Sequence, residues 1–346
     1  MFYCDPFGHT QPENLLNTSD LASDRAFVYC HDQEPVWPDL HAPLLDDVDR
    51  RNHDLNHGQG PKHAAIITSE LHSDSIAQVC SERNWRPYYY FFHGWAAMDW
   101  YRGYDRSFIL EPAALRRPQQ IYFAPNRIIS GPRSHRMIMM YHLLRQGSTR
   151  GYYSMPQVCP ASHTPLDELM QPFLSRFPDM PTVFAQAGLP VNLPGETGHP
   201  MQSCWLDQFD AASDSMVYIV TETVAQGRRL HLTEKVFRPI CLAMPFLLVS
   251  TQGSLAYLKS YGFQTFEHFW DESYDEEPDD FVRIQKIAGV VAALHAMSDR
   301  ARHAMWQAMQ PIIAHNHNHF YQGAFEQILW HELTGMLHAL RQDFAN

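Results

Sequence analysis

Short apolar segments, each followed by a polar tip and then by a helical pattern, recur in both halves of the chain and constrain its fold most strongly. In the first half these segments are Ala26–Cys30 and Ala64–Ser69, and Ser73 is placed to open a helix after the second. In the second half, Met216–Val220 and Phe246–Val249 are apolar on both faces, as the strands of a parallel sheet are. The alternation predicts a doubly wound α/β fold.

The same pattern predicts the remaining elements. Further strands are predicted at Pro87–Phe92, Ile121–Ala124 and Phe263–Phe266. Helices are predicted at Ser134–Gln146, Pro165–Phe177, Phe281–Met297, Ser298–Ile313 and Phe320–Leu340, and a second-half helix opening at Gln252–Ser254 should end at Gly262. The polar stretch Asp46–Lys62 is predicted to be a loop.

A length of 346 residues suggests two domains, each large enough for its own core. The Pro- and Arg-containing stretch Leu110–Gln119 reads as the linker between them. We therefore expect residues 1–115 and 116–330 to form two Rossmann-like domains, and residues 331–346 to form a C-terminal helix that crosses back to the first.

Composition narrows the class of protein. With 45% hydrophobic and 18% charged residues the chain should be globular, and it has no apolar run of about 18 residues that would predict a transmembrane helix. No signal peptide is visible, and six cysteines without C-x-x-C spacing favour a reduced, cytoplasmic protein. A net charge of −12 opposes broad binding to nucleic acid or anionic membrane, although a local basic groove stays possible.

The segment Leu230–Pro239 combines groups that suit a nucleotide. Thr233 is a candidate N-cap, so free N–H groups should lie at the mouth of the following helix. Glu234 can accept hydrogen bonds from the two ribose hydroxyls, and Lys235 can meet a phosphate. This segment is therefore our candidate site for a ribose and a diphosphate.

The same residues carry a family resemblance. His231-Leu232-Thr233-Glu234-Lys235, preceded by Val220-Thr221-Glu222-Thr223, resembles the donor-nucleotide signature of the alpha-1,3-fucosyltransferase family and its fucosyltransferase-like bacterial and phage relatives. Three later segments are similar to the same group, and the resemblance extends over roughly residues 118–320. These segments are Gly253–Leu258, Gly262–Phe266 and Trp270–Asp275.

The resemblance implies a GT-B fold, in which two Rossmann-like domains face a central cleft and helices follow at the C-terminus. It further implies an inverting, metal-independent transfer of a sugar from a nucleotide-diphosphate donor, with a GDP-sugar favoured and no separate cofactor. The first domain would bind the acceptor and the second the donor.

By the same resemblance, an asparagine and arginines of the first strand–helix unit in the second domain lie near the donor phosphates. Asn126, Arg127 and Arg136 are the matching residues, with unpartnered surface arginine as the alternative reading. His231 and Glu222 belong to the same donor set. Glu222 would contact sugar or nucleoside, or else hydrogen-bond its own loop.

A carboxylate just beyond a strand of the first half could act as the general base, because ligands of open α/β sheets lie outside the carboxyl ends of the strands. Glu34 is the first choice, followed by Asp32 and Glu70. The alternative is that these residues hydrogen-bond their own polar loops.

The acceptor is expected to be a glycan or a modified nucleobase in phage DNA, although the net charge disfavours nucleic acid. Trp95, Trp100 and Tyr101 follow the Pro87–Phe92 segment and could form an aromatic tip that stacks on a sugar or a flipped base. A role in the core is the alternative.

Two groups of residues could suggest a metal, but we predict none. Trp270–Asp280 is rich in carboxylates, which in a row along a loop usually only keep that loop solvated. His315, His317 and His319 alternate with asparagines that read as helix-end residues.

Other enzyme classes lack their signatures, since no P-loop, G-x-G-x-x-G, G-x-S-x-G or H-E-x-x-H is present. Glycosyl transfer is therefore the preferred function. There are two alternatives. One is a non-catalytic glycan- or nucleotide-sugar-binding module of the same fold, and the other is a structural protein that reuses the fold.

Overall fold

The computed structural model describes residues 2–3, 27–55, 64–103, 118–148, 150–193, 195–196 and 205–344 of this mixed α/β protein. The strands are β1 (Phe2–Tyr3), β2 (Phe27–His31), β3 (Ala64–Thr68), β4 (Trp85–Tyr89), β5 (Gln120–Ala124), β6 (Gly151–Tyr153), β7 (Ser215–Thr221) and β8 (Phe246–Val249). The helices are α1 (Pro38–Leu55), α2 (Asp74–Arg83), α3 (Phe92–Tyr101), α4 (His135–Arg145), α5 (Leu166–Met170), α6 (Met180–Gln186), α7 (Phe209–Ser213), α8 (Phe237–Cys241), α9 (Ser254–Ser260), α10 (Asp280–Ala296), α11 (Asp299–Ala308), α12 (Gln310–Tyr321) and α13 (Ala324–Asp343). Within the described residues, no helix combines the length and apolar character needed to cross a bilayer.

The chain divides into two compact units. Unit 1 contains residues 1–96, 228–231 and 326–346, and unit 2 contains residues 97–227 and 232–325. The first change of unit therefore falls between Ala96 and Ala97, inside α3, and not in the predicted linker, of which residues 110–117 lie outside the described part of the chain. No pattern in the sequence predicts that residues 228–231, from the middle of the chain, belong to unit 1.

Unit 1 is built on a parallel sheet in the order β1-β2-β3-β4. The central strand β3 is buried along its whole length. Ala64 and Ile66 pack in one core cluster with residues of α1 and α2, whereas Ala65 and Ile67 pack in another that includes Met336 of α13. This alternation is the two-residue period of a strand, and it explains why β3 is apolar at every position.

Unit 2 contains the second parallel sheet, in the order β6-β5-β7-β8. Its strand β7 is buried throughout and lies between β5 and β8. The predicted strands at Ile121–Ala124, Met216–Val220 and Phe246–Val249 are confirmed, the last with the same bounds.

Local signals placed several helix ends correctly. The Ile76 N–H donates to the Ser73 hydroxyl at 3.3 Å, which confirms Ser73 as the N-cap of α2. Helix α4 stops before Gly147, whose φ of +67° favours glycine.

Two predictions about helices were wrong. The predicted helix at Pro165–Phe177 is a short α5 that passes into a 3-10 turn, and the predicted loop at Asp46–Lys62 is helical through Leu55 because Leu45, Val48 and Asn52 bury one face of α1.

Residues 263–266 are not a strand, contrary to the prediction. Side chains replace the neighbouring strand as hydrogen-bond partners of this segment. The Gln264 N–H donates to Asn316 Oδ1 at 2.7 Å, and the Asn316 amide donates to the Gln264 carbonyl at 2.8 Å. The Phe266 N–H donates to Glu272 Oε1 at 2.8 Å.

The predicted aromatic tip is also wrong. Strand β4 ends at Tyr89, and Phe92 already begins α3, so Trp95, Trp100 and Tyr101 lie on a helix. Tyr101 is fully buried, and the Trp95 ring packs edge-on against Trp330 of α13 with ring centroids 4.6 Å apart in unit 1.

The three alternating histidines and the asparagines between them lie inside α12, so the interpretation of Asn316 and Asn318 as helix-end residues is wrong. Two of the histidines bind the carbonyls of the two residues that follow α9. His315 Nε2 lies 2.9 Å from the Gly262 carbonyl, and His319 Nε2 lies 2.7 Å from the Tyr261 carbonyl. These contacts stabilise the end of α9.

The acidic stretch Trp270–Asp280 supplies caps for neighbouring segments. The Asp275 carboxylate accepts from the Leu255 and Ala256 N–H groups at 2.9 and 3.1 Å, at the start of α9. Asp279 accepts from the Phe281 and Val282 N–H groups at the start of α10. Among the described residues, no group of His, Cys, Asp and Glu has the arrangement of a metal site.

We predict that Gly262→Ala and Gly289→Ala change stability in opposite directions. Residue 262 has a φ of +91°, and a Cβ added there would lie 2.7 Å from His319 Nε2. We therefore expect the alanine to lower the free energy of unfolding by at least about 1 kcal/mol. Gly289 lies within α10, and a Cβ there meets nothing within 4 Å, so alanine should add about 0.5–1 kcal/mol. Urea denaturation measures both, and equal effects would contradict the role given to Gly262.

Candidate functional site

Polar residues from β5 and β7 meet at the carboxyl ends of these strands in unit 2. The Thr221 hydroxyl donates to Asn126 Oδ1 at 2.9 Å, and the Asn126 Nδ2 group donates to the Ala124 carbonyl at 3.2 Å. The Asn126 N–H donates to the Ser154 hydroxyl at 2.8 Å. Asn126, which is buried, therefore joins the two strand ends, and its predicted contact with a donor phosphate stays a prediction.

Glu222, the residue after β7, anchors the 233–235 turn. It is fully buried, and its Oε1 accepts from the Thr233 N–H at 3.2 Å. Its Oε2 accepts from the Thr233 hydroxyl and from the Thr223 N–H. Burial raises the pKa of Glu222, and the positive charge of Lys235 opposes that shift. Of the two roles considered for Glu222, hydrogen bonding within its own loop is the one present in the structure.

The turn itself is short. Thr233 caps a 3-10 turn over Glu234–Val236, which leads directly into the five-residue helix α8, and the Lys235 N–H donates to the Thr233 hydroxyl at 3.4 Å. The N-cap prediction is confirmed. The expectation of free N–H groups at this helix mouth is wrong for two of them, because the N–H groups of Thr233 and Lys235 are bonded within the turn.

Lys235 carries the accessible positive charge of this cluster. Its Nζ lies 2.7 Å from Glu234 Oε1 and 3.4 Å from the hydroxyl oxygens of Thr223 and Thr233. The Lys235 side chain is 24% exposed, whereas that of Glu234 is 5% exposed. A partly exposed ammonium beside a buried carboxylate and two hydroxyls can bind both a phosphate and a polyhydroxylated group.

Two residues at the start of α4 bind main-chain carbonyls at the end of β7 and just beyond it. Arg136 donates from Nη1 to the Ile128 carbonyl at 3.0 Å and from Nη2 to the Thr221 and Glu222 carbonyls at 3.4 and 3.3 Å. This buried guanidinium therefore holds main chain, a role that the sequence did not indicate, while Arg127 is half-buried. His135 Nε2 lies 2.9 Å from the Glu222 carbonyl, and burial, helped by Arg136, lowers the pKa of His135 to about 3.

A second buried arginine, Arg283 of α10, fixes the loops that follow β7 and β8. Its Nε donates to the Ser250 carbonyl at 2.8 Å, and its Nη2 donates to the Ala225 carbonyl at 2.8 Å and to Asp280. Its Nη1 donates to the Glu277 carbonyl at 2.6 Å. Sequence reasoning missed Arg283, because nothing in its amphipathic helix marks it as different from a surface arginine.

In unit 1, Asp32 follows β2 and is 3% exposed. Its Oδ2 accepts a hydrogen bond from the Tyr90 hydroxyl, whereas its buried Oδ1 has no hydrogen-bond partner among the described residues. The Ser69 hydroxyl donates to the Asp32 carbonyl. Burial raises the pKa of Asp32, and the Tyr90 hydrogen bond opposes the shift.

Glu70, after β3, is committed to its neighbours. Its Oε1 accepts from the Val36 N–H at 2.6 Å, and its Oε2 accepts from the Ser73 hydroxyl and from Arg229 Nη1, both at 2.9 Å. Arg229 also donates to the Ser75 hydroxyl at 2.6 Å. With one oxygen in a buried ion pair and the other bonded to a backbone N–H, Glu70 has the geometry of a structural residue.

Asp32 Oδ1 thus has no hydrogen-bond partner among the described residues, whereas both oxygens of Glu70 are bonded. Glu34, the first choice from the sequence, is half-buried. The difference could not be predicted from the sequence, because the partner of Glu70 is Arg229, which lies 159 positions away.

His231 lies in unit 1, apart from the rest of the predicted donor set. Leu230 forms an antiparallel bridge with Leu71 through hydrogen bonds of 2.9 and 2.7 Å, and this bridge places the segment 228–231 in unit 1. The His231 ring packs edge-on against His93 with centroids 5.1 Å apart, and its Nδ1 lies 3.4 Å from the Ser69 hydroxyl. The motif that looks continuous in sequence is therefore divided between the two units.

We predict that Glu222→Gln destabilises the protein by about 1–3 kcal/mol, because an amide NH₂ would face one of the donors that now bind the carboxylate. Glu276→Gln, at an exposed position of the same unit, should change stability by less than about 0.5 kcal/mol. Urea denaturation of both variants measures the difference. Equal stabilities would show that Glu222 does not hold the 233–235 turn.

We also predict that His135→Gln reduces the loss of stability on acidification. Because the pKa of His135 is lowered to about 3, the unfolded chain binds a proton here at a pH where the folded protein does not. Acidification from pH 7 to pH 5 therefore lowers the free energy of unfolding of the wild type by about 2 kcal/mol through His135, and the variant does not lose this amount. Asp32, Glu70 and Glu222 have raised pKa values and act in the opposite direction, but they are present in both proteins.

The measurement is the free energy of unfolding at the two pH values for wild type, His135→Gln and the exposed control His303→Gln. The control should follow the wild type. Identical pH dependence in wild type and His135→Gln would show that the buried imidazole does not resist protonation.

Comparison with known proteins assigns the chain to no family. No protein-family model matches the chain, and no curated protein matches its sequence. What the two clusters can do therefore follows from their own residues and from the sheets that position them.

Proposed function

We propose that the chain is a glycosyltransferase that moves a sugar from a nucleotide-diphosphate donor to an acceptor hydroxyl. The observation that carries the proposal is the convergence of Asn126, Glu222 and the 233–235 turn at the carboxyl ends of β5 and β7. In open parallel α/β sheets ligands bind at this edge. The resemblance of residues 220–235 to the fucosyltransferase donor signature supports a nucleotide-sugar, with GDP as the favoured nucleotide.

The proposal includes the GT-B architecture, in which unit 2 binds the donor and unit 1 the acceptor. In unit 2, Glu234 accepts hydrogen bonds from the ribose hydroxyls, and Lys235 and Arg127 meet the diphosphate. The negative charge on the leaving diphosphate grows as the bond to the anomeric carbon breaks, so a fixed ammonium stabilises the transition state more than the ground state.

The proposed reaction is a direct displacement with inversion. The acceptor oxygen forms a bond to the anomeric carbon as the bond between that carbon and the diphosphate oxygen breaks, and the nucleoside diphosphate leaves. The acceptor proton passes to a carboxylate of unit 1. We assign this role to Asp32 ahead of Glu34 and Glu70, because Asp32 Oδ1 has no hydrogen-bond partner in the described part of the chain and burial raises the pKa of Asp32.

One observation favours a second candidate, a non-catalytic nucleotide-sugar-binding module. Arg136 and the N–H groups of Thr233 and Lys235 are bonded within the protein, which leaves fewer donors for the diphosphate than the sequence suggested. A binding module would bind the donor without turnover. Release of nucleoside diphosphate from a GDP-sugar, lost in Asp32→Asn, would separate the enzyme from the module.

We predict that one nucleotide among GDP, UDP, TDP, ADP and CMP raises the melting temperature and that Glu234→Gln and Lys235→Ala abolish the shift. At one hundred times its dissociation constant a ligand adds about 2.7 kcal/mol, which corresponds to roughly 5–10 °C for a unit of this size. Differential scanning fluorimetry of each protein with and without nucleotide gives the readout.

The chain offers a matched control in the exposed ion pair between Lys259 and Glu267, which lies in the same unit. Lys259→Ala and Glu267→Gln remove the same charges at the surface and should keep the nucleotide shift. If no nucleotide stabilises the wild type, the donor site is refuted. If all four variants lose the shift, the effect is one of overall charge and not of the 233–235 turn.

A further inference from the structure

Negative charge is concentrated in unit 1. This unit contains 17 Asp and Glu residues against 9 Lys and Arg residues, a formal net charge of −8, while the whole chain carries −12. Unit 2, although it is the larger of the two, therefore accounts for only the remaining −4. A ligand of unit 1 approaches a surface that repels anions.

Four of the positive side chains that the structure describes in unit 1 are paired with carboxylates. Among the arginines of unit 1 whose side chains the structure describes, four form ion pairs, and Arg228 and Arg341 are exposed. The pairs are Arg50 with Asp47, Arg83 with Asp46 and Asp49, Arg86 with Asp343, and Arg229 with Glu70. Binding of a phosphate chain relies on arginines and lysines that can neutralise its phosphates.

Arg229 is ion-paired with Glu70, which follows β3, and both terminal nitrogens of its guanidinium are hydrogen-bonded. Its guanidinium binds Glu70, the Ser75 hydroxyl and the Val36 carbonyl, and it lies over the Trp37 ring at 4.3 Å from the centroid. Exchanging these contacts for a phosphate would leave Glu70 as an unpaired buried charge, which is strongly unfavourable.

The groups at the carboxyl ends of β2, β3 and β4 suit hydroxyls instead. Asp32 Oδ1 is buried and has no hydrogen-bond partner among the described residues, so a donor is needed to satisfy it. Three side chains bind the loop that follows β2. The Tyr90 hydroxyl donates to the Asp32 carboxylate, the Ser69 hydroxyl donates to the Asp32 carbonyl, and His93 Nε2 lies 2.7 Å from the Gln33 carbonyl. A carboxylate accepts hydrogen bonds from hydroxyl groups and repels phosphate.

We infer that this edge of the unit 1 sheet binds a neutral, polyhydroxylated ligand, an uncharged saccharide, with Asp32 accepting a hydrogen bond from one of its hydroxyls. The inference rests on the proposed function in so far as it makes this saccharide the acceptor. It favours a glycan over a nucleobase in DNA as the acceptor. Saccharide binding itself requires no turnover and no nucleotide.

The test uses the full-length protein without nucleotide on an array of neutral glycans and of sialylated, sulfated and phosphorylated glycans, with a single-stranded DNA oligonucleotide as a polyanion probe. We expect neutral glycans to bind and the anionic probes to bind at least about tenfold more weakly. Asp32→Asn exchanges a charged acceptor for a neutral amide, which accepts a weaker hydrogen bond, and it should weaken glycan binding by about tenfold or more. Asp39→Asn, an exposed change of the same charge on α1, should leave it unchanged.

Salt dependence gives a second readout that does not depend on the variants. Affinity for a neutral glycan should stay within about twofold between roughly 50 and 200 mM NaCl, whereas several phosphate contacts would reduce it by orders of magnitude. Preferential binding of DNA or of anionic glycans, or binding that Asp32→Asn leaves intact, would overturn the inference, as would the absence of binding to every probe. Nucleotide stabilisation of unit 2 is scored separately, so failure here and failure of the donor site are distinguishable.

Discussion

The candidate donor site depends on one buried carboxylate. Glu222 follows a fully buried strand and is itself fully buried, so its charge is compensated by the Thr233 N–H and hydroxyl and by the nearby Lys235. These contacts draw the 233–235 turn onto the end of β7. Arg136 and His135 bind the main-chain carbonyl of Glu222 as well. The position of Lys235, and with it the proposed chemistry, follows from this arrangement.

Unit 1 also contains a buried carboxylate that holds a distant segment of the chain. Glu70 also follows a buried strand, and its compensation by Arg229 draws the segment 228–231 into this unit. In the same unit, Asp32 Oδ1 is buried and has no hydrogen-bond partner among the described residues. Glu222 after β7 and Glu70 after β3 thus each hold a loop of their own unit.

Much of the secondary structure could be predicted from the sequence because its signals are local. The apolar run at 246–249, the N-cap at Ser73 and the positive-φ Gly147 and Gly262 depend on neighbours within a few residues. Failures occurred where distant side chains replaced local partners. Asn316 supplies the hydrogen bonds that a neighbouring strand would have given Gln264, and a buried face outweighs the polar composition of α1.

The sequence by itself determined the doubly wound alternation, the turn opened by Thr233 and the negative charge of the chain, because periodicity, capping and composition are properties of adjacent residues or of the whole chain. Only the tertiary structure decided which polar residues bind protein and which are left for a ligand. Arg136 and Glu70 looked available in the sequence, yet burial required each to be satisfied, and their partners come from distant parts of the chain. A buried charge must find its partner wherever the fold places one, and that choice is not written in local sequence.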